Sequence, residues 1–401
     1  MTARNDVSLP DSDDKPRLAG VRIAIDARSL RHPGMGIHRY LSAAIKLLIR
    51  EGADVVLLTN FSGEEIASDY PGARWESFGS RRDIIWDQFD LPKYLRKRDF
   101  QYYWAPGNNG VPLWPTGRTR KVCTTHDIIP LRLPRMYLFR RPRFALPYLV
   151  WTLSGILRSD VLLTDSESSA RDIFKIFRRR STVISPALSL QGDTSPSARL
   201  PRELLGLDYL VYSGGMDPRK NVGNLLAAFA LSLRRSPALH LIIIGHSTEA
   251  LNPFLAELDL TNNVILTGFV SEDEKTAILK GSRALIYPSL YEGFGLPILE
   301  AFAAGVPVLT CRNSSLVEVA GDAAIYVDPL SPASIAQGIA EILLRDVAER
   351  QRALGRLRLK YFDPSAAQQQ LINVFAKEAP SRSLERRRRS AHRPLRVRRA
   401  E

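Results

Sequence analysis

The sequence has few cysteines and no long hydrophobic run. Only Cys123 and Cys311 occur among the 401 residues, which excludes a disulfide-built scaffold and predicts two buried thiols in a reducing compartment. No apolar run reaches the roughly eighteen residues that a membrane-spanning helix needs. The longest candidate, residues 144–157, is interrupted by Pro147 and by a Ser-Gly pair, so no transmembrane segment is predicted.

The first residues also lack the pattern of a secretory signal. Residues 1–15 are polar and acidic, with no basic start followed by an apolar stretch. We expect a disordered leader over residues 1–20 and a cytoplasmic protein.

Positive charge is in excess, with 56 Lys and Arg against 42 Asp and Glu. Residues 381–401 contain nine arginines, two glutamates and no aromatic residue, which predicts a disordered arginine-rich tail from residue 380 onward. The positive residues of the remaining chain look scattered. A basic nucleic-acid-binding protein is therefore the alternative class, but it would need aromatic residues among the basic ones and a binding motif.

Strand-like apolar runs alternate with helix-length amphipathic segments, which predicts parallel sheets covered by helices. A strand at residues 21–26, a glycine-bearing loop, a helix at 37–50 and a strand at 55–58 form a first βαβ unit. A Gly-, Ser- and Pro-rich stretch at 191–201 reads as a linker. Further strands are predicted at 209–212, 239–244, 264–266, 284–287, 306–309 and 324–327.

Two Rossmann-like α/β domains are therefore expected, over residues 21–190 and 201–362, facing each other across a cleft. A last amphipathic helix, within residues 363–379, is expected to return to the first domain. Ligands of such sheets bind beyond the carboxyl ends of the strands.

The strongest motif is Tyr-Pro-Ser-Leu-Tyr-Glu-Gly-Phe-Gly-Leu-Pro-Ile-Leu-Glu-Ala-Phe-Ala-Ala-Gly, at residues 287–305. Gly293 and Gly295 let the backbone approach a ligand closely. Pro297 suits the first position of a helix, whose free N–H groups form an anion site. The order strand, glycine loop, helix start predicts a binding site.

Two glutamates belong to this motif. Glu300 is expected in the first helical turn, where its two carboxylate oxygens suit adjacent hydroxyls such as those of a ribose. Glu292 precedes it on the loop. Each glutamate alone is more often a solvated surface residue, and only the ordered unit favours a ligand.

A second motif, Ser-Gly-Gly-Met-Asp-Pro-Arg-Lys-Asn, occupies residues 213–221. Small residues such as Gly215 expose backbone N–H groups, and Arg219 and Lys220 add two positive charges at a helix start. A guanidinium binds two oxygens and an ammonium acts as a point charge, so the pair suits a diphosphate. Alone, this pattern is as often surface chemistry.

Two weaker motifs lie in the first half. His126-Asp127 follows a strand-like run and is placed by topology at the cleft, although a lone His-Asp pair is more often structural. Gly34 and Gly36 lie in the loop after the first strand. Arg39 and the residue after it stand where a dinucleotide-binding loop has its third glycine, which argues against a dehydrogenase.

Residues 287–305 closely resemble the Glu-x7-Glu signature of glycosyltransferase family 4, the retaining enzymes of GT-B fold. The match includes both glutamates, the Gly-Phe-Gly-Leu-Pro core and Ala-Gly-Val-Pro-Val at 304–308, and the similarity extends over residues 21–376. Residues 314–318 read Ser-Ser-Leu-Val-Glu where the family usually has Pro before the Glu, so this loop is expected to sit differently. Trp104 replaces a smaller residue and is expected to shape the acceptor side.

The resemblance implies roles for these residues. Arg219 and Lys220 would hold the donor diphosphate and stabilise it as it leaves, Glu292 would meet the transferred sugar, and His126 would face that sugar. The predicted catalytic residues are His126, Arg219, Lys220 and Glu292. The predicted donor-binding residues are Gly34, Gly36, Gly215, Arg219, Lys220, Gly293, Phe294, Gly295, Leu296 and Glu300.

The run at residues 126–131 resembles a subgroup rich in mannosyltransferases of surface polysaccharide and lipopolysaccharide assembly. This resemblance implies transfer of mannose from GDP-mannose to a glycan acceptor that is lipid-linked. The alternative is a UDP-sugar or another GDP-sugar. A catalytically dead scaffold is disfavoured by the intact Arg219, Lys220, Glu292 and Glu300.

We predict neither a metal nor another cofactor. The only Asp-x-Asp lies at residues 11–13, before the first strand, and no Cys/His cluster has zinc spacing. The predicted partners are a nucleotide sugar and a glycan, with no specific nucleic acid. Arginines between residues 132 and 143 precede the apolar segment 144–157; this region fits a contact with an anionic membrane or a core helix, and the residues favour neither.

Overall fold

The computed structural model describes residues 16–31, 36–139, 142–189, 199–246 and 248–376. The predicted tail, the Asp-x-Asp at 11–13, most of the predicted linker and Gly34 lie outside these residues.

The amino-terminal half forms one parallel sheet of seven strands, in the order β3-β2-β1-β4-β5-β6-β7. Its central strands are apolar and buried on both faces, as expected for a sheet covered by helices. The strands are β1 (Arg22–Asp26), β2 (Asp54–Thr59), β3 (Arg74–Ser77), β4 (Tyr102–Ala105), β5 (Arg120–Thr124), β6 (Val161–Thr164) and β7 (Thr182–Val183).

The second sheet has six parallel strands, in the order β10-β9-β8-β11-β12-β13. Both sheets reverse their order beside the first strand of the domain, and this reversal opens the crevice in which such folds bind ligands. The strands are β8 (Asp208–Ser213), β9 (Leu239–Ile244), β10 (Val264–Gly268), β11 (Leu285–Tyr287), β12 (Val308–Cys311) and β13 (Ala324–Val327).

Helices cover both sheets. The first domain has α1 (Gly36–Arg50), α2 (Glu64–Ala67), α3 (Asp83–Ile85), α4 (Leu91–Arg96), α5 (Ile129–Arg132), α6 (Pro134–Tyr137), α7 (Pro142–Arg158) and α8 (Glu167–Phe177), with a π-helical turn at Trp86–Asp90. The rest are α9 (Val222–Leu233), α10 (Asn252–Glu257), α11 (Glu272–Gly281), α12 (Leu296–Ala303), α13 (Leu316–Ala320), α14 (Pro332–Ile342), α15 (Arg345–Leu359) and α16 (Pro364–Ala376).

Local sequence explains several helix starts. Ser166 caps α8 by accepting a hydrogen bond from the Ser169 backbone N–H, and Ser271 forms a capping box at the start of α11. The expected register of α12 was wrong by one residue. The helix begins at Leu296 rather than at Pro297, so Glu300 is its fifth residue and belongs to the second turn.

The last helix returns to the first domain. Leu371, Ile372 and Phe375 of α16 are buried in the hydrophobic core around β1, α1 and β4. The Phe375 ring meets the edges of Tyr102 and Trp104. Because an apolar helix face needs a buried partner, this packing fastens the end of the chain to the amino-terminal domain.

Two sequence predictions fail at buried positions. Residues 16–20 were assigned to a disordered leader, yet Leu18 is fully buried and its N–H donates to the Glu51 carbonyl. Trp104 was expected to shape the acceptor side. It is instead fully buried, between Tyr40 and Phe375. Cys123 and Cys311 are buried, as predicted, and burial raises the pKa of each thiol to about 12.

Candidate active site

A cleft of about 580 Å³ lies between the carboxyl ends of the two sheets. Strand-to-helix loops from both domains line it, as the parallel topology requires. Every predicted site residue that the structure describes lines this one cleft. These residues are Gly36, His126, Gly215, Arg219, Lys220, Glu292, Gly293, Phe294, Gly295, Leu296 and Glu300.

Glu292 lies at the centre of a charged group that we call the Glu292 cluster: Glu292, Arg219, Lys220 and Tyr287. The Lys220 Nζ donates to Glu292 Oε1 at 2.7 Å, and the Tyr287 hydroxyl donates to the same oxygen at 2.9 Å. The Arg219 guanidinium pairs with Oε2. All four residues belong to the carboxy-terminal domain, so this cluster forms without help from the other domain.

The charges of the Glu292 cluster shift one another's pKa. Burial opposes ionisation of Glu292, but Lys220 and Arg219 outweigh it and lower its pKa to about 2. Burial lowers the pKa of the Lys220 ammonium below its usual range, and Glu292 offsets only part of this effect. The two cations of the cluster therefore lie side by side on the cleft, where they suit an anionic ligand, and the Asp217 carboxylate lies 3.8 Å from Arg219.

A second group, the Glu300 cluster, comprises Glu300, Lys275, Arg39 and Glu272. The Lys275 Nζ and an Arg39 guanidinium nitrogen both donate to Glu300 Oε1, the former at 3.0 Å. The Glu300 Oε2 atom has no hydrogen-bond partner among the described residues, so one oxygen remains open to a ligand hydroxyl. Burial opposes ionisation of Glu300, yet Lys275 and Arg39 lower its pKa.

Three cleft positions, Gly293, Gly295 and Gly215, differ in why a glycine is found there. A Cβ at Gly293 would lie 3.0 Å from the Asp127 Cβ and 3.1 Å from the His126 carbonyl oxygen, so glycine lets the two domains approach closely here. Gly295 has φ of +117°, a conformation that disfavours other residues. A Cβ at Gly215 would meet nothing within 4 Å. Protein packing does not require that glycine, and the space beside it opens into the cleft.

His126 is held through both ring nitrogens. Nδ1 lies 2.8 Å from Asp165 Oδ2 and Nε2 lies 2.8 Å from the Pro106 carbonyl oxygen. Two acceptors on one ring favour the doubly protonated imidazolium. Although burial opposes the charge, Asp165 and Pro106 raise the pKa of His126 to about 9. The backbone carbonyl of His126 accepts a hydrogen bond from the Ser169 hydroxyl at 3.0 Å.

Polar contacts join the domains around the cleft. The Ser166 hydroxyl donates to the Gly293 carbonyl at 2.7 Å. The Glu318 carboxylate accepts the backbone N–H groups of Glu167 and Ser168 at 2.8 and 3.0 Å, at the start of α8. An anion at a helix start is favoured by the helix dipole. The segment that departs from the usual family sequence thus makes an interdomain contact.

Four residues of the two clusters were not selected from the sequence: Lys275, Arg39, Tyr287 and Glu272. Lys275 is a single lysine in an ordinary amphipathic helix, and no local pattern marks it. Arg39 was noticed only as a residue that occupies a glycine position. Tyr287 ends a buried strand, where a tyrosine usually signals core packing. The contacts of Lys275 and Arg39 with Glu300 join positions 25 and 261 residues apart, whereas Tyr287 is only five residues from Glu292.

Neither a metal cluster nor a membrane-spanning helix is found in the described ranges. No group of three or more His, Cys, Asp or Glu side chains there could hold a metal ion. No helix in those ranges is both long and apolar enough to cross a bilayer.

Comparison with known proteins gives a match for each of the two domains. Residues 35–191 match the model of Glycosyltransferase Family 4, and residues 203–356 match that of Glycosyl transferases group 1. The chain is 27% identical over 385 residues to O-antigen chain mannosyltransferase B of Escherichia coli, covering 88% of this chain and 99% of that protein. It is 30% identical over 227 residues to the MMP alpha-(1->4)-mannosyltransferase of Mycolicibacterium hassiacum, covering 54% of each.

A similar solved structure is Anabaena Alr3699/HepE in complex with UDP-glucose. It has a TM-score of 0.67 and 17% identity, and the match covers 89% of this chain and all of that one. The two facing parallel sheets with the cleft between them form a GT-B fold. One family model matches each domain, so the chain consists of a Glycosyltransferase Family 4 domain followed by a Glycosyl transferases group 1 domain.

Proposed function

We propose that this protein transfers mannose from GDP-mannose to a glycan acceptor, with retention of anomeric configuration and without a metal ion. The observation that carries the proposal is the pair Arg219 and Lys220, side by side on the cleft beside the open space at Gly215. The acceptor is a growing surface polysaccharide of the O-antigen type, attached to a lipid.

The pyrophosphate of the donor would lie against Arg219 and Lys220. Glu292 already holds both cations in place, so little reorganisation is needed when charge develops on the leaving group. Glu300 Oε2 would accept a ribose hydroxyl. The Glu292 carboxylate, with both oxygens engaged, would position the cations rather than contact the transferred sugar directly.

Retention would follow from attack on the face from which the diphosphate leaves. A double displacement needs a free carboxylate nucleophile, and both oxygens of Glu292 are engaged. Asp127 also lines the cleft, and burial raises its pKa, which disfavours it as an ionised nucleophile. The acceptor oxygen would bond to the anomeric carbon as the bond to phosphate breaks, and the hydroxyl proton would pass to the released diphosphate.

His126 would not act as the base in this step. Both ring nitrogens already donate, to Asp165 and to the Pro106 carbonyl, so the ring has no lone pair to accept a proton. We assign it the role of a fixed positive charge at the cleft.

Mannose is favoured because two relatives with different named acceptors are both mannosyltransferases. A UDP-sugar is the alternative donor, since a protein of the same fold binds UDP-glucose.

The test uses purified protein with a panel of GDP- and UDP-sugars, with and without EDTA. We expect GDP-mannose alone to support transfer, with unchanged rates in EDTA and an axial-linked product by NMR. Gly215→Ala should abolish donor binding, because the added methyl enters open cleft space, whereas Gly223→Ala, whose Cβ also meets nothing, should bind normally. An inverted product, an EDTA-sensitive rate or a preferred UDP-sugar would overturn the corresponding part of the proposal.

An anionic membrane is the surface on which a lipid-linked acceptor would be met. Leu146, Leu153 and Leu157 of α7 are 68%, 40% and 48% exposed, at a spacing that places them on one helix face. The Arg158 guanidinium beside them donates to the Leu113 carbonyl, and the next residue, Trp114, is 54% exposed. These apolar side chains form the surface that we propose contacts lipid.

The segment that contains α7 is also rich in positive residues. Residues 78–158 contain fifteen Lys and Arg, five Asp and no Glu, so the expectation that positive residues are scattered through the body is wrong for this region. Cosedimentation with phosphatidylglycerol vesicles should fall for Leu153→Ser/Leu157→Ser and be unaffected in Leu357→Ser, an exposed leucine of the other domain. Equal loss in both variants, or no wild-type binding at low salt, would refute membrane contact.

A further inference from the structure

The Arg219 guanidinium lies between two carboxylates, those of Glu292 and Asp217. It pairs with Glu292, and its Nη1 atom also donates to the Tyr291 carbonyl at 3.0 Å. The Asp217 Oδ1 atom lies 3.8 Å from the Arg219 Nε, which is too far for a hydrogen bond. A guanidinium has several donors and can pair with either carboxylate, so Asp217 competes with Glu292 for Arg219.

Two other donors already occupy this oxygen of Asp217. The Arg219 backbone N–H donates to Oδ1 at 3.2 Å, as the cap of the 3-10 turn Pro218–Lys220. The Tyr137 hydroxyl donates to the same atom. A carboxylate oxygen offers two lone-pair sites, so the Arg219 Nε finds no acceptor on Oδ1 while both donors are in place.

Tyr137 comes from the other domain. It is the last residue of α6, and it is 8% exposed. Burial and the Asp217 carboxylate raise the pKa of its hydroxyl, which therefore stays protonated and donates at neutral pH. Tyr137 is not one of the described residues that line the cleft, so it acts on the site through Asp217.

A second tyrosine hydroxyl crosses the domain boundary on the other side of Arg219. The Tyr291 hydroxyl donates to the Asp172 carboxylate of α8, whose other oxygen lies 3.3 Å from the Arg132 Nε. Both neighbours of the guanidinium, the Asp217 carboxylate and the Tyr291 carbonyl, therefore belong to residues that are hydrogen-bonded to the amino-terminal domain.

We propose that Tyr137 is a positioning residue for sugar transfer, because its hydroxyl keeps Asp217 from drawing the Arg219 guanidinium away from the diphosphate. Without this hydroxyl, Oδ1 would accept the Nε–H, and Arg219 would share its charge between two carboxylates. Because Tyr137 and Asp217 belong to different domains, the restraint holds only while the domains are together. This inference rests on the proposed function and adds a residue of the amino-terminal domain that acts on the donor site.

The experiment measures Tyr137→Phe in wild type and in a chain that carries Asp217→Asn. Asparagine retains a side-chain oxygen that can cap the Arg219 N–H, but it has no charge to draw the guanidinium. In wild type, Tyr137→Phe should lower the donor kcat/KM about fivefold, the value of one hydrogen bond. The Kd for inorganic pyrophosphate, measured by calorimetry, should rise by the same factor. With Asp217→Asn present, Tyr137→Phe should change neither quantity.

Tyr94→Phe is the matched control. The Tyr94 hydroxyl also donates to a carboxylate, that of Glu76, but both residues lie in the first domain and neither lines the cleft. This variant should match wild type in kcat/KM and in pyrophosphate affinity, and melting temperatures show that each variant folds. A merely structural role of Tyr137 would give the same loss with and without Asp217→Asn. That result, or no loss in either chain, would overturn the proposal.

The two readouts separate this inference from the proposed function. A wild-type protein that binds pyrophosphate but transfers no sugar would refute the proposed function, and the pyrophosphate affinities would still decide the role of Tyr137. A wild-type protein that neither binds pyrophosphate nor transfers sugar would refute both.

Discussion

The Glu292 and Glu300 clusters each place two cations on one buried carboxylate, but they are built differently. Glu292 and its three partners all belong to the carboxy-terminal domain, and both carboxylate oxygens are engaged. Glu300 holds Lys275 from its own domain and Arg39 from the other, both on one oxygen. The first cluster is complete within a domain, whereas the second requires two.

This difference suggests that the two clusters act in different steps of the reaction. A cluster complete within one domain can be preorganised before substrate arrives, which is what stabilisation of a leaving diphosphate requires. A cluster that spans two domains depends on their approach, and it can couple binding at Glu300 to closure of the cleft. Variants of the two clusters should therefore fail in different ways.

Loss of a cation from the Glu292 cluster should have the largest effect. Arg219→Ala and Lys220→Ala should each reduce kcat about 10²–10³-fold, because each removes charge that opposes the developing diphosphate. Steady-state kinetics with the preferred donor measures this, and Lys280→Ala, an exposed lysine of α11, is the control. Wild-type turnover in either folded variant would contradict the assignment.

Removal of the two carboxylates should lower the stability of the protein by different amounts. Glu292→Gln leaves the Lys220 ammonium without a paired carboxylate and leaves Arg219 with only Asp217, 3.8 Å away, and should lower the free energy of unfolding by about 3 kcal/mol. Glu300→Gln should cost about 1 kcal/mol, because the Glu272 carboxylate lies 2.9 Å from Arg39 and 2.8 Å from Lys275 and remains as a partner. Urea unfolding of both variants measures these changes. Equal decreases in the free energy of unfolding would show that the two carboxylates stabilise the protein equally.

His126 gives a pH test outside both clusters. Its pKa is about 9 in the folded protein, above the value of about 6.5 in an unfolded chain. The contribution of the His126 charge to the free energy of unfolding is therefore complete below pH 6.5 and is lost as pH rises through 9. The charge on His126 should contribute about 3 kcal/mol in total to the free energy of unfolding. Most of this contribution should disappear between pH 7 and 9.5 in wild type. The free energy of unfolding of His126→Gln should lack this pH-dependent loss. If it changed with pH in the same way in the variant and in wild type, the raised pKa of His126 would be disproved.

The smallest effect is expected for Arg39→Gln, which removes only the interdomain member of the Glu300 cluster. Stability should change by less than about 1 kcal/mol, since Lys275 still pairs with Glu300. The donor KM should rise a few-fold, and the rise should shrink at high salt as wild type loses the same ion pair. An unchanged donor KM would show that Arg39 takes no part in donor binding.

Much of the architecture was predictable because hydrophobic periodicity is local. The strands Leu239–Ile244 and Ala324–Val327 have the predicted bounds. The strands at Arg74–Ser77 and Thr182–Val183 were missed, since the first is polar and partly exposed and the second has two residues. The start of α12 was displaced by one residue because Pro is also accepted at the second helical position.

The sequence by itself determined the two-domain parallel architecture, the glycine loops and the identity of the main charged residues, because period, turn chemistry and short motifs are properties of neighbouring residues. Only the tertiary structure decided which charges meet. Arg39 reaches Glu300 across 261 positions and Lys220 reaches Glu292 across 72. Long-range pairing depends on how two packed domains face each other, and no local pattern encodes that.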